Sequence, residues 1–426
     1  MMLLKHVSIK PGPLTGLVDV PPSKSIAHRA IIAAALADGY SLVENFTVSR
    51  DMEATIEGMR RLGATIKIHE DSDSLEISGG SKIEVPIEID CIESGSTLRF
   101  LIPIALVKNR EAIFKGQGRL VERPLSEYLK IFESQGIEFN LPGNRLPLSV
   151  KGSLKPGEFK VNGGVSSQFI TGLLFALPLL HGNSSIFIDG ELESQGYVDL
   201  TIDVLKDFGI EIRNKAYKEF FIQGDQIYRS RSFRIEGDYS QAAFWLAAGV
   251  LGNGIRLNGL NIHSLQGDRV IADILRAMGG DIISGDDWIE AKPSLLKGIR
   301  IDVSQCPDLV PVLAVLGTYA EGVTTIENGA RARLKESDRL HAIAVGLNKL
   351  GGDVTETIDG LTVHGARELR GGAVDSFNDH RITMALAVAA SGARGEVIIN
   401  GSDSVEKSYP GFWDDFSKLG GLVYER

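Results

Sequence analysis

RLGATI (61–66), ESQGIEF (133–139), KDFGIEI (206–212), RAMGGDI (276–282), KLGGDV (349–354) and KLGGLV (418–423) are variants of one short pattern. Their shared glycines, Gly63, Gly136, Gly209, Gly279, Gly351 and Gly420, stand 73, 73, 70, 72 and 69 residues apart. Each copy reads as a helix end, a glycine free to take positive φ, and then a strand. Working outward, a second pattern keeps step: DGYSLVEN, NREAIFKG, HGNSSIFIDG, LGNGIRLNG, EGVTTIENG and RGEVIINGS. With Gly39, Arg110, Gly182, Gly252, Gly322 and Gly395 as markers, its intervals are 71, 72, 70, 70 and 73. Two independent markers with one period define six repeats of about 71 residues.

Within a repeat the coarse order is strand, helix, strand, helix, strand, strand. In the first, LVDV precedes a helix around SIAHRAIIAAALA, and YSLVENF is the next strand. Ser49 caps a helix around DMEATIEGMRRL, and TIKIHE pairs with SLEISG across Asp71, Ser72 and Asp73. The sixth repeat stops at LVYER without its last strand, and LLKHVSIK near the N-terminus is placed to supply it. The expected division is one domain over 20–234 and another over 1–19 plus 235–426, with a two-strand hinge near 19–20 and 234–236. The fold class is α/β.

Composition narrows the function. At 426 residues the chain exceeds the ~250–300 at which a single core stops growing. Its 43% hydrophobic and 23% charged content is that of a soluble globular protein. No run approaches the ~18 apolar residues of a membrane span, and MMLLKHVSIK has neither a signal-peptide nor a transit-peptide pattern. Cys91 and Cys306 are far apart and lack metal-ligand spacing, so a reduced, cytoplasmic setting without a bound metal is expected. A net charge of −10 argues against nucleic acid, whose backbone calls for a basic face. That acidity makes local clusters of cations informative.

PPSKSIAHRA (21–30) opens an apolar helix with two cations and two hydroxyls. Lys24 lies 15 residues before its marker, as do Gly95, Ser167 and His380, while Asp238 and Asp308 lie 14 before theirs. SKS, ESGST, VSSQ, GDYSQ, PDLVP and NDHR therefore share one place, the start of the first helix. A second set falls 12 to 17 residues after the marker, near the second helix: Arg123, Ser194, Tyr197, Lys335, Glu336, Arg339 and Lys407. A helix N-terminus carries unpaired N–H groups and about half a positive charge, which favours anions. Cations there oppose the helix dipole by roughly 0.3–1 kcal/mol each, so a ligand explains them better than helix stability does. Singly, Ser23, Ser25 and Asp308 read as helix caps, KESDR as a solvated helix start, and His380 as a structural histidine. Together, Lys24, Arg29, Arg123, Lys335, Arg339, Arg381 and Lys407 point to one cavity for a heavily anionic small substrate.

At SKSIAHR, VERP, VSSQF, KESDR, NDHR and KSYP the chain resembles the 5-enolpyruvylshikimate-3-phosphate synthases of the enolpyruvyl transferase family, over nearly its whole length. The resemblance implies two similar domains, each of three repeats about a pseudo-threefold axis (an inside-out α/β barrel), which close over the substrates. It implies enolpyruvyl transfer from phosphoenolpyruvate to the 5-hydroxyl of shikimate 3-phosphate, in chorismate and aromatic amino acid biosynthesis. No cofactor is implied, and a monomer is expected. For shikimate 3-phosphate the family pattern falls on Lys24, Ser25, Arg29, Ser166, Ser167, Gln168, Ser194, Asp308 and Lys335, with Tyr197 packed nearby. For phosphoenolpyruvate it falls on Lys24, Gly95, Arg123, Gln168, Arg339, Arg381 and Lys407. Asp308 is the expected general base, Glu336 the second carboxyl acting at the methylene carbon, and Lys24 a rival for part of that proton traffic.

The chain departs from the family pattern in three places. Glu93 stands where the family often has Asn, Arg331 where some members have Asn, and Phe100 where a proline is frequent. Gly95 is kept; alanine there accompanies glyphosate tolerance in the family, so sensitivity is expected. The nearest rival is the sister transferase acting on UDP-N-acetylglucosamine, many of whose members carry a loop cysteine where this chain reads KGQGRLVERPL. A non-enzymatic phospho-ligand-binding repeat protein is the alternative from another class.

Overall fold

The computed structural model describes residues 5–80, 86–108, 111–365 and 368–425. The marker Arg110 lies outside them. The chain forms two compact units, Lys24–Ile235 and Met1–Ser23 with Glu236–Arg426. Each has its own apolar core and, among the described residues, three four-stranded sheets.

The sheets share one strand order. In one, Ile87–Asp90, Glu111–Lys115, Leu148–Lys151 and Glu138–Asn140 are neighbours in that sequence. The first two run parallel, since an apolar helix carries the chain back between them, and the rest are antiparallel. Turn chemistry follows the glycine pattern: Gly63, Gly136, Gly209, Gly279, Gly351 and Gly420 have φ of 93, 68, 82, 94, 90 and 90°. Side chains avoid this left-handed region at helix ends, and glycine adopts it without penalty.

In the last sheet His6–Lys10 lies between Val397–Asn400 and Leu422–Glu425, antiparallel to both. One local reading is corrected. LVDV does not open the first repeat's sheet: Gly16–Asp19 pairs in parallel with Ile255–Asn258. The parallel partner of Tyr40–Glu44 is Ser232–Arg234. Strand pairing selects a partner in space, and sequence adjacency does not reveal the exchange.

The two kinds of helix differ because their apolar patterns differ. Lys24–Leu36 is apolar on every side and buries all residues from Ile26 to Leu36. Gly95–Lys108, Ser167–Ala176, Tyr239–Leu251, Val310–Tyr319 and His380–Ser391 are likewise buried almost throughout. The second helices are amphipathic. Arg50–Arg61, capped by Ser49 through Met52 N–H, buries Met52, Ile56 and Met59 and exposes Arg50, Glu53, Glu57, Arg60 and Arg61, while Asp51 is buried. No helix among the described residues is long and apolar enough to cross a membrane.

Candidate active site

In the unit Lys24–Ile235, the helices Lys24–Leu36, Gly95–Lys108 and Ser167–Ala176 have no acidic residue in their first turns. No carboxylate of their own first turns thus faces the positive end of these helices. Lys24 opens its helix with Nζ 2.7 Å from Asp51 Oδ2. Arg29, one turn further on, is buried and ties helices together. Its Nε donates to Thr201 Oγ1 at 2.8 Å, its Nη1 to the Ser25 carbonyl at 2.6 Å and its Nη2 to the Tyr197 carbonyl at 2.9 Å. Its guanidinium also lies over the rings of Phe100 and Tyr197. Three of its five N–H donors are thus engaged inside the protein. Burial pulls its pKa down to about 10, which leaves it charged at neutral pH.

Gly95 is where three predicted residues meet. A Cβ added there would lie 2.6 Å from Arg123 Nη1, 3.2 Å from Arg99 Nη1 and 3.4 Å from Gln168 Oε1. Glycine therefore lets two guanidinium groups and an amide approach the helix end closely. Gln168 Oε1 accepts from Arg99 Nη1 at 2.7 Å, and its Nε2 donates to Ser96 Oγ at 3.1 Å. Ser166 caps its helix through Gln168 N–H, and Ser167 is buried beside it. Ser194 stands at the start of Gln195–Asp207 in a left-handed conformation, φ 54° and ψ 47°, uncommon for a residue with a side chain, and its side chain makes no capping bond. Beneath these ends runs a buried chain: His28 Nδ1 to Thr55 Oγ1 at 2.7 Å, Thr55 to Thr97 at 2.6 Å and Thr97 to Ser94 at 2.8 Å. Burial, then Lys24 and Arg29, hold the His28 pKa well below the usual histidine range, so the ring is neutral.

In the other unit Asp308 lies in the turn Pro307–Leu309, just ahead of the helix Val310–Tyr319. Its carboxylate is 2.6 Å from Arg339 Nη1, 3.1 Å from Lys335 Nζ and 3.5 Å from Arg381 Nη2. Burial works to raise this carboxyl, but Lys335, Arg381 and Arg339 outweigh it and hold it well below the usual carboxylate range. Burial pulls the Lys335 pKa down, against the opposing influence of Asp308. Arg339 is 1% exposed and also meets Glu336 at 2.5 Å and Asp379 at 2.8 Å. Burial opposes its charge, but the three carboxylates prevail and drive its pKa up. Lys407, also buried, donates from Nζ to the Asn378 carbonyl at 2.6 Å. Arg331, at a departure from the family pattern, donates to the Ser304 carbonyl at 2.8 Å.

Asp308, Lys335, Glu336, Arg339 and Arg381 thus form one cluster, and Gly95, Arg123 and Gln168 another. Four residues escaped the sequence reading. Asp51 pairs with Lys24, and Arg99 bonds Gln168. Asp379 caps the helix of Arg381 while binding Arg339 and the Ser337 hydroxyl, and Asp268 is buried near Asp308. Arg99 left the clearest trace, a lone cation in the apolar run LRFLIPIALV. Asp379 stood within the quoted NDHR.

A family model described as EPSP synthase (3-phosphoshikimate 1-carboxyvinyltransferase) matches residues 9–416. The chain is similar to the 3-phosphoshikimate 1-carboxyvinyltransferase of Clostridium novyi (strain NT), with 52% identity over 99% of both chains. It is also similar to that of Clostridium acetobutylicum, with 53% identity over 98% of both. Among solved structures it resembles EPSP synthase from Acinetobacter baumannii, with a TM-score of 0.83, 25% identity and coverage of 99% of this chain and 100% of that one. The chain belongs to the EPSP synthase (3-phosphoshikimate 1-carboxyvinyltransferase) family.

Proposed function

We propose that the protein transfers the enolpyruvyl group of phosphoenolpyruvate to the 5-hydroxyl of shikimate 3-phosphate and releases inorganic phosphate. The observation that carries this reading is the Asp308 carboxylate among Lys335, Arg339 and Arg381, beside Glu336, in a chain that belongs to this family over nearly its full length. The two substrates together carry on the order of five or six negative charges near neutral pH. Such a pair suits the seven cations at helix starts. In this reading the chain works as a cytoplasmic monomer, each unit arranging its three repeats about a pseudo-threefold axis.

The reaction requires a proton at the methylene carbon and loss of a proton from the attacking hydroxyl. A C–O bond forms at C2 of the enolpyruvyl group, and the tetrahedral intermediate then expels phosphate while its new methyl group returns a proton, which restores the C=C bond. Asp308 is the base for the hydroxyl, and Glu336 with Lys24 serves the methylene carbon. Lys24, Ser25, Arg29, Ser166, Ser167, Gln168, Ser194 and Lys335 hold shikimate 3-phosphate. Lys24, Gly95, Arg123, Gln168, Arg339, Arg381 and Lys407 hold phosphoenolpyruvate. With so low a pKa, Asp308 alone is a weak base. Anionic substrate that shares the charges of Lys335 and Arg381 would raise that pKa toward the working range, so substrate binding itself would prepare the base.

The test is phosphate release with both substrates, with either one omitted, and with UDP-N-acetylglucosamine in place of shikimate 3-phosphate. Release is expected only with shikimate 3-phosphate and phosphoenolpyruvate together. Lys24→Met should abolish it, and an unchanged circular dichroism spectrum should show an intact fold. Release supported by UDP-N-acetylglucosamine, or a fully active Lys24→Met protein, contradicts the reading.

A further inference from the structure

Asp268 lies in the turn Gly267–Val270 and is 2% exposed. Ser240 donates its hydroxyl to Oδ2, while Oδ1 is buried without a hydrogen-bond partner among the described residues. An ionised carboxylate oxygen in that state is unfavourable unless a nearby charge compensates it. The groups acting on Asp268 come from several elements. Asp308 belongs to the turn Pro307–Leu309, Arg381 to the helix His380–Ser391, and Ser240 and Asp238 to the start of the helix Tyr239–Leu251. Cys306 also feels Asp268, after the larger effect of its own burial. The neighbouring Arg269 bonds the Ile262 carbonyl at 3.3 Å.

Burial, and then Asp308, push the Asp268 carboxyl up to about 6, against the opposing effects of Arg381 and Ser240. Asp308, in the same cluster, is held far below that. The two buried carboxyls share Arg381 and differ in their other neighbours, which drive them apart, the pattern by which two acids in one region take different protonation states. Arg381 is the group they share: its Nη2 is 3.5 Å from Asp308, and its charge acts on both.

We propose that Asp268 is a positioning residue whose charge state sets how strongly Arg381 and the Asp308 cluster hold a phosphate-bearing substrate. The inference rests on reading that cluster as part of the phosphoenolpyruvate site. While Asp268 carries its proton, the positive charge of Arg381 is available to Asp308 and to an incoming anion. Once Asp268 ionises, it neutralises part of that charge and repels the anion. Asp268 acts through Arg381 and needs no contact with substrate.

The experiment is calorimetric titration of the full-length protein and of Asp268→Asn with inorganic phosphate from pH 5 to 8. The quantity read is the ratio of wild-type to variant Kd, in which the titration of phosphate itself cancels. The ratio should be near one at pH 5 and rise through about pH 6 to roughly three- to tenfold at pH 8. The KM for phosphoenolpyruvate should follow the same ratio, with kcat changing less. A flat ratio, or a variant weaker at every pH, overturns the proposal. Ser240→Ala is a second reading that does not depend on Asp268→Asn folding. Loss of the hydroxyl donor removes an interaction that favours the carboxylate, so the midpoint in phosphate affinity should move to higher pH; an unmoved midpoint also overturns the proposal. A pH-dependent ratio in a protein that never turns over the two substrates removes the proposed reaction and leaves the role of Asp268 in phosphate binding. Turnover with a flat ratio does the opposite.

Discussion

Asp308 shows how much of a side chain's chemistry is supplied by its neighbours. As one letter in PDLVP it reads as an ordinary helix cap. Folded, it is enclosed by three cations and strongly favours its charged form. Asp308→Asn would leave Lys335, Arg339 and Arg381 without their shared anion. Removing one partner of a buried charge cluster destabilises by about 3–5 kcal/mol. Because the folded carboxyl lies below its unfolded value of about 3.9, that contribution is complete above about pH 4 and is lost as pH falls further. Urea unfolding should therefore show a wide gap between wild type and Asp308→Asn at pH 7 that narrows below about pH 4. A gap of constant size from pH 7 to 3 contradicts the account. Asp268 has the opposite sign. Its folded value lies above its unfolded one of about 3.9, so its contribution to stability falls as pH rises from about 4 to about 6 and changes no further above that.

At the scale of elements, the helices Gly95–Lys108 and Ser167–Ala176 pack together, and Gly172 shows how closely. A Cβ there would run into Tyr128 Oη and the Arg99 carbonyl, which are themselves hydrogen-bonded at 2.5 Å. Gly172→Ala forces the helices apart at the turn that carries Arg99, whose Nη1 bonds Gln168. The expected destabilisation is about 1–3 kcal/mol, the range for overpacking a filled interior. Displacing Arg99 and Gln168 should also raise the KM for phosphoenolpyruvate. Urea unfolding and steady-state kinetics check the two effects, and a variant unchanged in both contradicts this packing argument. Nothing local in FITGLLFA names Tyr128, 44 residues earlier, as the group that Gly172 approaches, because that contact joins segments only in the fold.

At the scale of the whole molecule, the proposed reaction draws on residues from both compact units. Lys24, Gly95, Arg123 and Gln168 belong to one, and Asp308, Glu336, Arg339, Arg381 and Lys407 to the other. A substrate pair that needs both sets must stabilise both units. Scanning calorimetry with shikimate 3-phosphate and inorganic phosphate at 100 times their dissociation constants should raise the unfolding of each unit, by about 2.7 kcal/mol for each saturated site. A shift confined to one unit contradicts a shared requirement. Residue order alone was enough for the turn glycines at 63, 136, 209, 279, 351 and 420 and for the helix starts. These follow from local φ preferences and apolar periodicity, which neighbouring residues set. That Arg339 serves Asp308, Glu336 and Asp379 together, that Arg29 ties helices from within, and that Gly16–Asp19 pairs with Ile255–Asn258 emerged with the folded chain. Charge pairing, desolvation and strand partnership arise between segments brought together in space, and their order along the chain does not encode them locally.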